Sequence, residues 1–309
     1  PDIMLVRIFS SVCVYVLKGK DLDNKEKIEL KRLRVTMVTK ALFIFIGIIL
    51  MQLIAYMLCV LGYTVFGVAQ GIGYARALAE ITILNTTKST NLMLTISAVS
   101  AILSFIWCAI LYKKSGFRAD SMDYRKVFSV KNIMMIFFTA AGCCIILTFL
   151  LSGLTALMPE VFKNYTKLMS NFETGNMAVT LAYAVFIGPV SEEMIFRGAI
   201  FDRFYIGFDY WVANILQAAL FGLYHMNLVQ GLYAFCLGIV LGVIVKATGS
   251  ILCSMLTHII FNGTSYILPI VLGSGNNIIN IAVMFVLFVI AVLGIFGIKT
   301  FTGAVSHSN

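Results

Sequence analysis

Two adjacent glutamates, Glu192 and Glu193, stand inside a long apolar run, AVFIGPVSEEMIFRGAIF, and Arg197 follows four residues after the second. Two histidines have similar surroundings. His225 lies in LFGLYHMN, and His258 lies in MLTHIIFN with Asn262 four residues beyond it. On a helix, Glu193 and Arg197 share one face, with the acid on the N-terminal side, which is the favourable order for an ion pair. Glu192 is turned about 100° from Glu193, since a helix has about 3.6 residues per turn. The two carboxylates therefore cannot do the same job. Nothing basic lies three or four residues from Glu192, so Arg197 is expected to neutralise Glu193 while Glu192 faces a cavity. His258 and Asn262 are also four apart and point the same way.

A carboxylate in an apolar pocket is a competent general base for water. A nearby histidine can share its proton, and a second histidine and an asparagine can donate hydrogen bonds to a developing oxyanion. These are the parts for amide hydrolysis by activated water, with no Ser or Cys nucleophile. Each group also has a purely structural reading. Glu193 and Arg197 could simply cancel charge so that the helix inserts, and His and Asn serve as hydrogen-bonding glue between membrane helices. An ionisable group at the centre of a membrane helix costs roughly 2.5–3.5 kcal/mol by insertion scales. Three helices that each carry a polar group share that cost best by bringing the groups together.

The elements that must position these residues are membrane helices. Of 309 residues, 60% are hydrophobic and only 12% charged, against about 25% charged in ordinary soluble domains. Apolar runs of about 20 residues, the length a bilayer requires, recur from residue 41 onward. Eight spans are predicted, at roughly 41–68, 91–112, 132–157, 177–205, 210–228, 229–248, 250–272 and 277–298. The expected fold is all-α, a polytopic membrane helix bundle of about eight transmembrane helices with a buried polar site. The chain divides into an interfacial or cytosolic segment (1–40), three N-terminal spans (41–176), a core of helices four to eight that carries the polar residues (177–298), and a tail (299–309). Residues 3–17 are apolar but interrupted by Arg7, which predicts an interfacial helix and not a signal peptide.

Charge sets the orientation. Residues 1–40 hold nine Lys or Arg and the 113–131 loop six, against two in 69–90 and two in 158–176. By the positive-inside rule, both termini are expected in the cytosol, with a bacterial cell membrane as the setting. The net charge of +9 is thus a matter of topology. No basic face with interleaved aromatics suggests nucleic acid. The seven cysteines form no CxxC pair and read as small buried hydrophobes. Gly238 and Gly242 make a GxxxG, an ordinary sign of close helix packing.

Three motifs carry a resemblance. EEMIFR (192–197) fits EExxxR, FGLYH (221–225) fits FxxxH, and HIIFN (258–262) fits HxxxN. In this order on successive membrane helices, they resemble the CAAX-protease and bacteriocin-processing family of intramembrane endopeptidases, also called Abi or Rce1-like, over roughly residues 180–270. The resemblance implies about eight helices and a site open toward the cytosol. It also implies roles: Glu192 as the base that activates water, His225 assisting it, His258 and Asn262 as oxyanion donors, Glu193 and Arg197 as support, and Phe221 packing beside the site. Counting along the fifth helix, however, puts His225 near its outer end.

The cofactor question has two answers. Glu192, His225 and His258 would be the ligands if zinc were bound, since catalytic zinc favours three protein ligands plus water. The chain lacks HExxH, and Asn262 is a poor zinc ligand, so a metal-free glutamate mechanism is favoured. The expected partners are membrane lipid and a peptide or membrane-protein substrate. Two other functions fit parts of the pattern. One is a non-catalytic binding, regulatory or self-immunity protein of the same family. The other is a transporter with helices broken at Pro189 and Pro269, although no inverted repeat supports it.

Overall fold

The computed structural model describes residues 23–82, 87–114, 129–173, 175–272 and 277–306, and every regular element among them is helical. The expected interfacial helix at 3–17 and Cys13 lie outside the described residues. The helices are α1 (Asn24–Ala69), α2 (Tyr74–Thr82), α3 (Thr87–Lys114), α4 (Val130–Leu157), α5 (Pro159–Glu173), α6 (Met177–Gly207), α7 (Tyr210–Tyr224), α8 (Leu228–Thr248), α9 (Ile251–Leu272) and α10 (Asn277–Ser306). Seven of them are long and apolar enough to cross a bilayer: α1, α3, α4, α6, α8, α9 and α10. The protein is an integral, multi-pass membrane protein.

The expected eighth span at 210–228 is shorter than its hydropathy suggests. Helix α7 has 15 residues, about 22 Å at 1.5 Å per residue, while a bilayer core is about 30 Å thick. Local chemistry makes the turn. His225 caps α7, Met226 adopts a positive φ of 54°, and Asn227 caps α8 by accepting from the Gln230 N–H at 3.1 Å. The hairpin is also tight. A Cβ on Gly222 would sit 2.7 Å from the Gly231 carbonyl oxygen, and one on Gly231 would sit 2.9 Å from that of Gly222.

Helix α1 is longer than any bilayer needs, with 46 residues. Its charged first turns are capped by Asp23 and Glu26 in a reciprocal box. Further along, Leu33, Met37, Ala41, Ile44 and Ile48 form a buried stripe at three- and four-residue spacing. Helix α3 runs antiparallel to α1, with Phe43 edge-on to Trp107 and Ser104 beside Met51. Helices α4 and α10 cross just as closely at Gly142 and Gly294, where an added Cβ would meet the opposite backbone below 3 Å. Gly238 and Gly242 of the GxxxG receive α7, against Ala218 and Asn214.

Polar contacts gather several helix ends at one end of the bundle. Arg34 Nε donates to the Gly207 carbonyl at 3.0 Å. Arg203 Nη2 donates to Leu111 O at 3.2 Å, and Lys246 Nζ donates to Tyr205 Oη at 2.9 Å. The start of α1 and the ends of α3, α6 and α8 therefore lie together. The described cysteines are all free, and Cys108, Cys143, Cys144 and Cys253 are buried, as small apolar residues would be.

Candidate active site

Helix α6 carries the two glutamates between stretches of unusual geometry. Ala182–Ile187 and Met194–Ile200 are π-helical, and Gly188–Glu193 between them is α-helical. Pro189 explains the first stretch. A proline inside an α-helix has no N–H and clashes with the carbonyl four residues back. Widening the turn lets the Gly188 N–H reach the Tyr183 carbonyl, five residues back. At the same spacing the Ala184 carbonyl would seek the N–H of residue 189, which proline lacks. Asn262 fills that place from α9, its Nδ2 donating to Ala184 O at 2.7 Å. Such π-turns are often found at functional sites.

The expected ion pair forms. Arg197 Nη1 donates to Glu193 Oε1 at 2.9 Å, and both side chains are fully buried. The same carboxylate oxygen has a second partner, His258 Nδ1, also at 2.9 Å. His258 Nε2 faces the other glutamate, 3.7 Å from Glu192 Oε2. The glutamates are thus split as their helical angle requires. Glu193 is enclosed, while the Glu192 side chain keeps 17% of its exposure. One imidazole joins them.

His225 stands apart from this chain of contacts but close to it. Its Nδ1 lies 2.8 Å from Phe221 O. A carbonyl only accepts, so Nδ1 carries the hydrogen and Nε2 is left as a basic nitrogen. Phe221 is almost fully buried, and its ring packs edge-on against both imidazoles, 4.9 Å from His225 and 5.8 Å from His258 between centroids. The Arg197 guanidinium lies 4.5 Å from the centroid of the same ring, a cation–π contact. FxxxH and EExxxR therefore meet through one phenyl ring.

Several residues around the site carried no motif in the sequence. Gln217 and Asn214 are fully buried on α7. Gln217 Nε2 donates to Asn214 Oδ1 at 2.7 Å and to Gly238 O at 2.9 Å. Arg197 Nη2 donates to that same carbonyl at 3.2 Å. Asn214 Nδ2 donates in turn to Tyr210 Oη and Ile239 O. The available signal was Gln217 itself, four residues before Phe221 and so on its face of the helix. Tyr183, Tyr224 and Tyr233 lie within electrostatic reach of Glu192. Tyr165 of α5 hydrogen-bonds Tyr233, which brings that amphipathic helix against the site. Beside Tyr183, an exposed apolar groove of about 410 Å³ runs between α3 and α6, past Val99, Ile102, Val179 and Ile187.

The constellation and its order along the chain can now be set beside known families. Residues 174–264 match the family model described as type II CAAX prenyl endopeptidase, Rce1-like. The chain carries an Rce1-like domain. It extends from the start of α6 into α9 and includes all seven motif residues, from Glu192 to Asn262. No curated protein and no solved structure matches the chain.

Within the Rce1-like domain, a metal ion would need converging donors. Among the described residues, no three or more His, Cys, Asp or Glu side chains are grouped to hold one ion. His258 turns Nδ1 to Glu193 Oε1, which leaves Nε2 toward Glu192.

Proposed function

We propose that this protein is an intramembrane endopeptidase that hydrolyses a peptide bond in or near the membrane with water activated by Glu192. The observation that carries the reading is the pairing of Glu192 with His258 Nε2, 3.7 Å apart, beside a fully enclosed Glu193–Arg197 pair. Two carboxylates and one guanidinium leave one negative charge in a low-dielectric interior. A single proton placed between Glu192 and His258 balances it. With that proton on His258 Nε2, Glu192 is an anionic base and His258 is a hydrogen-bond donor.

The reaction then balances. Glu192 takes a proton from water, and the hydroxide oxygen bonds to the scissile carbonyl carbon. The carbonyl π electrons move onto oxygen, where His258 Nε2–H and the second amide hydrogen of Asn262 donate to the oxyanion. Collapse re-forms the carbonyl and breaks the C–N bond, and the leaving nitrogen takes the proton that Glu192 holds. His225, with a basic Nε2, assists proton movement on the water side. Glu193, Arg197 and Phe221 position these groups. The reaction uses the chain's own side chains and no resident metal.

The test is purified protein in detergent with a quenched fluorescent peptide, beside Glu192→Gln and with a strong zinc chelator. Wild type should cleave with and without chelator. Glu192→Gln should fold and cleave nothing. Full cleavage by that variant would end the proposal.

A further inference from the structure

Arg197 has one donor that its protein neighbours leave unserved. Nη1 donates to Glu193 Oε1 at 2.9 Å, and Nη2 donates to Gly238 O at 3.2 Å. Nε is buried with the rest of the side chain and has no partner among the described residues. Buried polar groups are almost always hydrogen-bonded, to protein or to an ordered water.

A cavity of about 20 Å³ lies against Arg197. Its other walls are Phe201, Asp202 and Tyr205 of α6, Tyr112 of α3, Val245 of α8 and Ile251 of α9. One water needs about 10–15 Å³, so there is room for one. The π-helical stretch Met194–Ile200 shapes this space. Residues five apart on a regular α-helix diverge by about 140°, but an i→i+5 turn brings them onto one face, here Arg197 and Asp202. Gly198 lets the opposite walls close in, since a Cβ there would sit 3.2 Å from Ile251 Cδ1 and 3.6 Å from Tyr112 Cδ2.

We propose that the cavity holds a single ordered water that accepts from Arg197 Nε and donates to the Asp202 carboxylate, which makes Asp202 a positioning residue for the Glu192–His258 site. The chemistry of the walls selects this occupant. The Arg197 Nε–H needs an acceptor, which a cation is not. The Asp202 carboxylate repels an anion. It accepts from Arg203 Nη1 at 2.7 Å and has capacity for further hydrogen bonds. Water both accepts and donates, so it joins the two ion pairs, Glu193–Arg197 and Asp202–Arg203.

The bridge reaches the catalytic groups through Arg197. Its guanidinium holds Glu193 Oε1, the oxygen that also takes His258 Nδ1, and His258 Nε2 faces Glu192. With Nε bound to the water, all three nitrogens of the guanidinium are fixed, and His258 is held more firmly behind them. This role rests on the peptidase reading. The water site itself does not.

Two measurements on the purified full chain test the proposal. The first is an experimental structure at a resolution that shows ordered water. One water should lie within hydrogen-bond distance of both Arg197 Nε and an Asp202 carboxylate oxygen. A dry cavity, or an ion in it, overturns the proposal. The second is steady-state cleavage of a quenched peptide. Asp202→Leu removes the acceptor, and Val245→Ile adds a carbon against the cavity to displace the water. Each should lower kcat by about 10-fold with KM nearly unchanged, since misplacing a catalytic group by about 1 Å can cost up to 10²-fold. The double variant should lose no more than either alone, because both remove one water. Asp202→Asn keeps an acceptor and should recover most of the turnover that Asp202→Leu loses. If Asp202→Leu does not fold, Val245→Ile decides. Wild-type kcat in Val245→Ile, with the water absent from that variant's structure, overturns the positioning role. A water in place in a protein that cleaves no peptide supports the water site and removes the peptidase reading.

Discussion

Glu193 fixes His258: one carboxylate oxygen sits 2.9 Å from the imidazole Nδ1 and 2.9 Å from the Arg197 guanidinium. This shared oxygen couples α6 to α9 and sets which nitrogen of His258 faces Glu192. Removing it strands a buried cation. Glu193→Ala should destabilise the protein by about 3–5 kcal/mol, the usual cost of leaving half of a buried pair. Thermal unfolding in detergent reads this directly. Glu193→Ala combined with Arg197→Met should recover much of the loss in stability while activity stays low, because His258 has lost its anchor.

Glu192→Gln should behave in the opposite way. Its side chain is only partly enclosed, and His258 Nε2 lies 3.7 Å from it. Unfolding should shift by no more than about 1 kcal/mol, in the range of a modest polar contact. Peptide cleavage should fall at least 10²–10⁴-fold, the typical contribution of a general base. A stable variant with wild-type turnover would remove Glu192 from the mechanism.

His225 can be examined by substitution. Its Nδ1 lies 2.8 Å from Phe221 O, which leaves Nε2 to assist proton movement. His225→Ala should lower turnover by about 10²-fold with the unfolding midpoint nearly unchanged. Wild-type turnover in the variant would remove His225 from the mechanism.

Asn262 and Pro189 form a testable pair. Asn262 serves the Ala184 carbonyl that Pro189 cannot serve. Asn262→Ala should cost about 1–3 kcal/mol, the penalty for an unsatisfied buried acceptor. In a Pro189→Ala background the restored N–H can take over, and the same change should cost less. A double-mutant cycle on unfolding midpoints measures this coupling, and additive effects would argue against it.

Gly222→Ala places a methyl 2.7 Å from the Gly231 carbonyl oxygen. Because that oxygen is backbone, the α7–α8 hairpin must open. We expect a loss of about 1–3 kcal/mol, as for other overpacked sites. Cleavage should fall further than stability predicts, because the hairpin carries His225.

Much of this was legible in the residues. The apolar runs gave the all-α membrane bundle, since a helix alone satisfies its own backbone in lipid. The four-residue spacing gave the Glu193–Arg197 pair. The short α7 was not legible, because its end is made by a cap and a positive φ at Met226, neither of which changes hydropathy. The link from Glu193 to His258 was also hidden, because those residues are 65 apart in sequence and no periodicity connects them.

The sequence by itself determined that ionisable groups sit inside membrane helices, that the two glutamates diverge, and that EExxxR, FxxxH and HxxxN follow in order. These are local properties, set by helical pitch and by the cost of charge in lipid. Only the tertiary structure decided that His258 joins the glutamates, that Asn262 serves the carbonyl Pro189 leaves open, and that Phe221 packs against both imidazoles. Such contacts depend on how α6, α7 and α9 cross, and crossing is fixed by the close packing of many side chains at once.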